Sequence, residues 1–288
     1  MSAAFGARLQ ESVREHGPIL AGIDPHGPLL DSWGLSDDAA GVREFSRRAL
    51  EAVAGEVAAI KPQSAFFERH GSAGVAALEE LLAAARERGV LTILDVKRGD
   101  IGSTMGAYAD AYLRPGSSLE ADAVTLSPYL GYGSLAPALE HVHQAGKGVF
   151  VLALTSNPEG HEVQHARGGA GLSVAAAMAE HVRAENSAAP AGTWGSAGLV
   201  VGATVGPAVR ELGIDLAATR APLLVPGFGA QGAGPEDLAE VFGAASSQVL
   251  VSLSRGLLSA GGEVDALRSR ARALRAAYTA AQGAAGAA

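Results

Sequence analysis

The sequence predicts an α/β fold of the (β/α)8 TIM-barrel type. Three observations favour it. Eight short apolar segments rich in β-branched residues recur along the 288-residue chain, and most are separated by Ala-, Leu- and Glu-rich stretches of helical periodicity. Alternation of strand and helix indicates parallel pairing through right-handed crossovers. Polar residues also gather where the predicted strands end, which is where barrels carry their functional groups. A doubly wound open sheet is the alternative.

The predicted strands are short apolar runs that end at polar or turn residues. In chain order they are ILAGIDP (19–25), AAIKPQSAFF (58–67), VLTILDVK (90–97), AVTLSP (123–128), GVFVLALTS (148–156), GLVVGATV (198–205), PLLVPGFG (222–229) and QVLVSLSR (248–255). Among the stretches between them, AGVAALEELLAAARERG (73–89) has helical spacing and closes on basic residues and a glycine, as helices do. Near-continuous apolar strands are typical of parallel sheets covered by helices.

The domain organisation follows from the lack of any internal linker. Residues 1–279 are predicted to form one barrel domain, and the Ala- and Gly-rich tail 280–288 is expected to be disordered. Two long strand-to-helix loops, residues 26–38 and 157–171, are candidate lids over the active face, with simple surface insertions as the alternative.

Composition excludes several classes of function. The chain is 48% hydrophobic with a formal net charge of −8, so it has material for a core but no basic patch for nucleic acid or anionic lipid. It contains no cysteine, which excludes disulfides and thiolate sites. The stretch MSAAFGARLQESVREHG (1–17) lacks the apolar run of a signal peptide, and no apolar run is long enough to span a membrane. A cytoplasmic location is expected.

The third predicted strand leads directly into a dense cluster of charges. Because side chains alternate between the faces of a strand, Asp95 and Lys97 share one face, above Leu91 and Ile93 in the barrel interior. Burying charge is unfavourable unless it is paired. The cluster is therefore either a structural ion-pair network or an active site.

The other strand ends favour an active site. Lys61 ends the neighbouring strand and Asp100 follows the third, which predicts an array of two lysines and two aspartates. Further polar residues are expected to converge on the same face, whereas a structural ion-pair network does not require additional polar residues beside it. These are Asp24, Ser156, Gln231 and Arg255.

A phosphate site is predicted near the last two strands. Arg255 ends the eighth strand, and barrels often bind phosphate in this region. In GFGAQGAGPEDL (227–238) the glycines leave backbone N–H groups open, and the last residues resemble the first turn of a helix.

The charged segment LDVKRGDIGST (94–104) resembles that of the orotidine 5′-monophosphate decarboxylase family, in its longer, mycobacterial-like bacterial branch. It carries the Asp-x-Lys-x-x-Asp core and the Ile-x-x-Thr continuation. Similar segments occur in the family order through nearly the whole chain. These are GIDP (22–25), KPQSAFFE (61–68), LTSNPEG (154–160), VPGFGAQG (225–232) and SLSRG (252–256).

The resemblance implies a cofactor-free lyase that converts orotidine 5′-monophosphate to UMP in pyrimidine biosynthesis. It implies a catalytic tetrad of Lys61, Asp95, Lys97 and Asp100, in which Lys97 stabilises and protonates C6. It implies no metal, flavin, pyridoxal or thiamine. The substrate contacts that it implies are Asp24, Ile101, Thr104, Ser156, Pro226, Gln231 and Arg255. It also implies a homodimer in which Asp100, Ile101 and Thr104 complete the partner's site.

Two alternatives remain at this stage. An Mg²⁺-dependent enzyme of the same superfamily, a 3-keto sugar phosphate decarboxylase or a hexulose phosphate synthase, shares the Asp-x-Lys-x-x-Asp core. A non-catalytic barrel that binds UMP is the other alternative. The histidines are scattered without the spacing of metal ligands, which favours solvated side chains.

Overall fold

The computed structural model describes residues 3–168, 171–229 and 232–286. Its eight described strands overlap the eight predicted segments and alternate with helices. The third strand ends one residue later than its segment, at Arg98, and the sixth begins one residue earlier, at Ala197. The strands are β1 (Ile19–Ile23), β2 (Ala59–Pro62), β3 (Ile93–Arg98), β4 (Ala123–Leu126), β5 (Gly148–Leu154), β6 (Ala197–Val201), β7 (Leu223–Pro226) and β8 (Val249–Leu253).

Helices follow or precede every strand in the described ranges. They are α1 (Phe5–His16), α2 (Gly27–Ser32), α3 (Ala39–Val53), α4 (Ala65–Glu68), α5 (Gly71–Glu87), α6 (Gly102–Leu113), α7 (Ala136–Ala145), α8 (Gly160–Gln164), α9 (Val174–Glu185), α10 (Gly206–Glu211), α11 (Asp237–Phe242), α12 (Arg255–Leu258) and α13 (Val264–Gly286). Short 3₁₀ turns cover Tyr132–Leu135, Asn186–Ala188, Ala217–Thr219 and Gly243–Gln248. Each long predicted loop contains a short helix, α2 in the first and α8 in the second.

The strands form one parallel sheet that curls into a barrel. Their order is β2-β1-β8-β7-β6-β5-β4-β3, and every neighbouring pair is parallel. The two ends of the sheet, β2 and β3, meet through the isolated bridges Ile60 to Thr92 and Gln63 to Asp95. The predicted barrel is confirmed, and the open sheet is excluded because β2 and β3 lie side by side.

Strand alternation divides the core into two layers. One layer lies between the strands and the surrounding helices. The other fills the barrel interior, to which each strand contributes one buried side chain. These are Leu20, Ala59, Ile93, Ala123, Phe150, Val200, Leu224 and Leu250.

The N-terminal helix α1 closes the lower end of the barrel. Phe5 is fully buried and packs edge to face against Phe150, with ring centroids 6.1 Å apart. Two glycines make room for these rings: a Cβ on Gly148 would lie 2.1 Å from the Phe5 ring, and one on Gly198 would lie 2.4 Å from the Phe150 ring. The interior is therefore filled at its lower end, and a cavity opens toward the C-terminal ends of the strands.

The C-terminal segment differs from its prediction. Helix α13 continues to Gly286, so residues 280–286 are helical, although disorder is predicted for 280–288. The amide of Gln282 donates to the carbonyl oxygens of Ser246 and Val249, each at 2.9 Å. An Ala-rich composition has the highest helix propensity, and these contacts dock the helix on the barrel. None of the helices in the described ranges is long and apolar enough to cross a membrane.

Candidate active site

A cavity of about 680 Å³ opens at the C-terminal ends of the strands. All eight strands, or the loops that directly follow them, contribute lining residues. A cavity of this size lies within the range of about 300–1,000 Å³ that is typical of small-molecule sites. The interior side chains below form its floor, which includes Leu152, Val200 and Leu224. The polar strand ends that the sequence singles out form much of its wall.

The carboxylate of Asp95 is the centre of the polar wall. Its Oδ2 accepts hydrogen bonds from Lys61 Nζ at 3.0 Å and from Gln63 Nε2 at 3.0 Å. Its Oδ1 accepts from Lys97 Nζ at 2.5 Å and from the Thr125 hydroxyl at 2.8 Å. Asp95 is only 6% exposed. Four donors from three adjacent strands therefore hold one buried carboxylate in a single orientation.

Asp95 and Lys61 keep their charges at neutral pH. Burial alone would raise the pKa of Asp95, but the charges and hydrogen bonds of Lys61 and Lys97 lower that pKa to about 2. Burial likewise acts to lower the pKa of Lys61, and the charges of Asp24 and Asp95 outweigh it, so the pKa of Lys61 is raised. The site thus presents a fixed carboxylate between two ammonium groups.

Lys97 sits on an irregular turn of the backbone. The register between β3 and β4 shifts between Leu94 and Arg98, and Lys97 has a φ of 45°. A side chain in this left-handed region typically costs about 1–3 kcal/mol, and such strain is concentrated at functional sites. The Lys97 side chain is 46% exposed, against 8% for Asp95. Its ammonium group is therefore anchored from below and accessible from the cavity.

Two further charged groups line the cavity, and one of them, Asp24, interacts electrostatically with Lys61. Asp24, just after β1, has a buried Oδ1 without a hydrogen-bond partner in the described chain. Arg255, the first residue of α12, is exposed and lines the opening beside Gly227 and Phe228. Within the described ranges it makes no ion pair. A buried unpaired acceptor and an unpaired cation are both suited to a polar, anionic ligand.

Comparison with known proteins identifies the family. The model of the family described as "Orotidine 5'-phosphate decarboxylase / HUMPS family" matches residues 30–269. A curated relative from Streptomyces coelicolor, named orotidine 5′-phosphate decarboxylase, is 55% identical over 268 residues, which cover 93% of this chain and 94% of the relative. This chain belongs to the orotidine 5′-phosphate decarboxylase / HUMPS family. The predicted family resemblance is confirmed.

Solved structures of the orotidine 5′-phosphate decarboxylase family share the architecture. A crystal structure from Streptomyces avermitilis, provisionally named orotidine 5′-phosphate decarboxylase, has a TM-score of 0.93 at 54% identity. The match covers 100% of this chain and 97% of that chain. The Leishmania donovani OMP decarboxylase has a TM-score of 0.75 at 31% identity, covering 97% and 99%.

Only part of the residue set that the family resemblance implies lines the cavity. The residues that do are Asp24, Lys61, Asp95, Lys97, Pro226 and Arg255. Ser156 does not line the cavity, although its neighbours Thr155 and Asn157 do. Gln231 lies outside the described residues.

The segment after β3 also lies away from the cavity of its own chain. The Asp100 carboxylate accepts a hydrogen bond from the Ile101 amide at 2.8 Å and makes no ion pair with a lysine in the described structure. Ile101 is 62% exposed, and Thr104 is exposed as well. The predicted contact of Asp100 with the lysines is absent from the single chain. These residues follow β3, and the alternation of side chains along a strand cannot predict the direction of residues beyond its end.

Some residues that line the cavity are not predicted as site residues from the sequence. Gln63 and Thr125 bind Asp95, and His26 and Phe66 line the cavity with their rings 6.0 Å apart. The sequence carried a signal for Gln63 and Thr125, because each is a polar residue at an inward position. Gln63 comes two residues after Lys61, and Thr125 comes two residues after the interior Ala123. Among the described residues, no group of three or more His, Asp or Glu side chains is arranged to hold a metal ion.

Proposed function

We propose that this chain decarboxylates orotidine 5′-monophosphate to UMP, as one barrel domain of a cytoplasmic enzyme of pyrimidine biosynthesis. Its family membership supports the substrate, because the curated relatives carry the name orotidine 5′-phosphate decarboxylase. The observation that carries the proposal is the Lys61–Asp95–Lys97 array, which ends in an accessible ammonium group above an apolar floor.

The reaction needs a fixed cation at one carbon atom. When the bond between C6 and the carboxylate breaks, CO₂ leaves and the electron pair stays on C6, in the plane of the ring, where the π-system cannot delocalise it. The Lys97 ammonium, held 2.5 Å from Asp95, stabilises this charge and transfers a proton to C6. The neutral amine then regains a proton from solvent, to which the side chain is accessible.

The other members of the array act through position and charge. Asp95 lies beside the substrate carboxylate in this proposal and disfavours the ground state, while its hydrogen bonds keep both lysines in place. Lys61 is buried and holds Asp95 from the opposite side at 3.0 Å. Charges fixed before the reaction need no reorganisation during it, which is the basis of electrostatic catalysis.

Substrate binding is assigned by chemistry and by the family resemblance. The unpaired Oδ1 of Asp24 can accept a ribose hydroxyl, and Arg255 with the loop after β7 can hold the phosphate. Pro226 lines the cavity at the end of β7, next to that loop. Ser156 and Gln231 are proposed to contact the pyrimidine, and Gln231 the phosphate as well.

A homodimer is part of the proposal. The loops after β3 and β4 expose apolar side chains, with Ile101 62%, Tyr129 77% and Leu130 51% exposed. An exposed apolar patch of this kind is typical of a protein interface. Asp100, Ile101 and Thr104 are proposed to complete the partner's site. Met105, on helix α6, is fully buried in its own chain.

Turnover of orotidine 5′-monophosphate, followed by the loss of its ultraviolet absorbance, tests the function directly. We expect the wild type to be active in the presence of EDTA, and Lys97→Ala to lose at least about 10²–10³-fold in kcat, the loss typical of one preorganised donor. UMP affinity is expected to change much less, because the charge that Lys97 stabilises develops only in the transition state.

Lys147→Ala is the matched control. Lys147 is a buried lysine at the opposite end of the barrel, where it pairs with Glu120 at 2.7 Å. Its loss is expected to reduce stability and to leave kcat of the folded enzyme unchanged. A wild type that binds UMP without turnover would indicate a binding barrel, and activity on a sugar phosphate that EDTA abolishes would indicate the Mg²⁺-dependent branch.

A further inference from the structure

Thr125 occupies an unusual place in the hydrogen-bond network. It is 1% exposed and lies on β4, with its side chain directed into the barrel above Ala123. Its hydroxyl oxygen lies 3.0 Å from the amide nitrogen of Val96, 2.9 Å from that of Lys97 and 2.8 Å from Asp95 Oδ1. One hydroxyl thus contacts both the backbone of the irregular turn and the carboxylate that anchors Lys97.

The polarity of these three bonds is fixed by chemistry. A hydroxyl has one proton and two acceptor lone pairs. Because the amides of Val96 and Lys97 can only donate, both lone pairs are used, and the single proton must point at Asp95. Lys97 Nζ donates to the same oxygen. Oδ1 is therefore an acceptor only, and Oδ2 accepts from Lys61 and Gln63, so neither oxygen carries a proton and the carboxylate is ionised.

The same hydroxyl replaces a missing strand contact. The β3–β4 ladder shifts register between Leu94 and Arg98, and the amides of Val96 and Lys97 donate to the Thr125 side chain in place of the regular ladder. Without this acceptor, the amides of Val96 and Lys97 next to the site would lose their hydrogen-bond partner, and the Lys97 backbone at its positive φ of 45° would lose an anchor.

We propose that Thr125 is a positioning residue, whose hydroxyl sets the Lys97 ammonium at its reacting position by holding both the backbone of Lys97 and the carboxylate partner of its side chain. Thr125 does not itself donate to the substrate, because its one proton is already given to Asp95. The inference rests on the proposed function for its catalytic readout. The proposed function assigns no role to Thr125, whereas this proposal names its hydroxyl as the group that sets the geometry of Lys97.

The test compares three substitutions at this position. Thr125→Val keeps the shape and removes the hydroxyl, and we expect kcat to fall about 10²-fold, the loss that follows a misplacement of about 1 Å at a reacting group. Thr125→Ser restores the hydroxyl and is expected to remain within about fivefold of the wild type. If Thr125→Val does not fold, Thr125→Ala takes its place, with an expected loss of at least tenfold.

Thr92→Val is the matched control, because it also removes a buried hydroxyl. Thr92 is 3% exposed, lies just before β3 at the lower end of the barrel, and bonds Asp122 through its hydroxyl, at 3.2 Å from Oδ2. We expect it to reduce thermal stability with kcat unchanged.

Two readouts separate positioning from a structural role. UMP affinity should stay within about threefold in Thr125→Val while kcat falls, because the displaced charge acts in the transition state. Amide hydrogen exchange at Val96 and Lys97 should accelerate in Thr125→Val and return to the wild-type rate in Thr125→Ser.

The outcomes separate this proposal from the proposed function. An active wild type whose Thr125→Val variant keeps its kcat overturns the positioning role and leaves the decarboxylase assignment intact. Equal loss of kcat in Thr125→Val and Thr92→Val also overturns it, because the effect would then follow stability. A wild type without decarboxylase activity refutes the proposed function first, and accelerated exchange confined to the Val96 and Lys97 amides would still support the hydroxyl as their anchor.

Discussion

At the scale of single residues, Arg255 and Lys97 both line the cavity and are expected to affect the reaction in different ways. Lys97 is proposed to act at the carbon that changes charge, whereas Arg255 is proposed to hold a phosphate that does not react. Binding energy from such a remote group can be used to orient the reacting centre. A remote contact of this kind changes the rate only for substrates that carry the group it binds.

Arg255→Ala is therefore expected to lower kcat/KM for orotidine 5′-monophosphate at least about 10²-fold, and to change kcat/KM for orotidine, which has no phosphate, by less than about threefold. Steady-state kinetics on both substrates measure the two losses. Arg210→Ala, on α10 and outside the cavity lining, is the control. Equal losses for both substrates would show that Arg255 does not bind the phosphate.

Asp95 links the site to the stability of the fold through its lowered pKa. The folded-state pKa is about 2 and the reference value is 3.8, so the charged pair stabilises the protein above about pH 4 and this contribution is lost as the pH falls through about 2. The shift corresponds to roughly 2 kcal/mol. The carboxylate that is proposed to take part in catalysis therefore also stabilises the fold.

Chemical denaturation of the wild type and Asp95→Asn at several pH values tests this linkage. The wild type is expected to be the more stable at pH 6, and the difference in unfolding free energy should shrink by roughly 2 kcal/mol between pH 4 and pH 2. Asp265→Asn removes a carboxylate that is 96% exposed and gives the baseline. A pH-independent difference between wild type and Asp95→Asn would refute the linkage.

Among the predicted residues that line the cavity, Lys61, Asp95, Lys97 and Pro226 lie on strands, and Asp24 and Arg255 follow within two residues of a strand end. Period-two alternation places Asp95, Lys61 and the interior layer correctly, because the strands below the cavity are regular. Gln63 and Thr125 also follow this alternation, but short polar side chains within a strand are ambiguous without the neighbouring strand. Asp100 and Ser156 follow strand ends, where alternation no longer applies, and their side-chain directions depend on loop geometry.

At the scale of elements, the two ends of the barrel are specialised by what fills them. Helix α1 closes the lower end with Phe5 and Leu9, both fully buried. The upper end carries the polar layer, in which residues from β2, β3 and β4 are joined through one carboxylate. This carboxylate lies at the seam where β2 and β3 meet only through isolated bridges. The site is therefore also a closure of the barrel wall.

The fit of α1 predicts a specific energetic coupling between Phe5 and Gly148. Gly148→Ala places a methyl group where the Phe5 ring lies and is expected to destabilise the fold by about 1–3 kcal/mol. Phe5→Ala alone should cost about 3–5 kcal/mol. In the double variant the added methyl finds space, so the combined cost should fall below the sum by at least about 1 kcal/mol.

Urea unfolding of the four proteins in this cycle measures the coupling. Gly283→Ala, on α13 with nothing within 4 Å of the new Cβ, is the control and should be neutral or stabilising by about 0.5–1 kcal/mol. Additive effects of the Phe5 and Gly148 substitutions would show that α1 does not close the barrel in this manner.

At the scale of the whole molecule, one chain builds most of a site but not all of the predicted tetrad. Lys61, Asp95 and Lys97 converge on the cavity, whereas Asp100 bonds the amide of its own neighbour. The fold class was predictable from strand and helix alternation together with the polar residues at the strand ends. The arrangement of a second chain was not, because a single sequence carries no record of which exposed apolar residues face a partner.

Mixing two inactive variants tests whether Asp100 acts in the partner's site. Lys97→Ala and Asp100→Ala are each expected to be nearly inactive alone. If Asp100 acts across the interface, each mixed dimer has one site with both residues and one site with neither. Random exchange makes half of the dimers mixed, and half of their sites work, so about a quarter of wild-type activity should return. If Asp100 acts within its own chain, every site lacks one residue and no activity returns. Exchange is verified by mass spectrometry of the intact mixed dimers, so an inactive mixture would refute the shared site and leave the decarboxylase assignment standing.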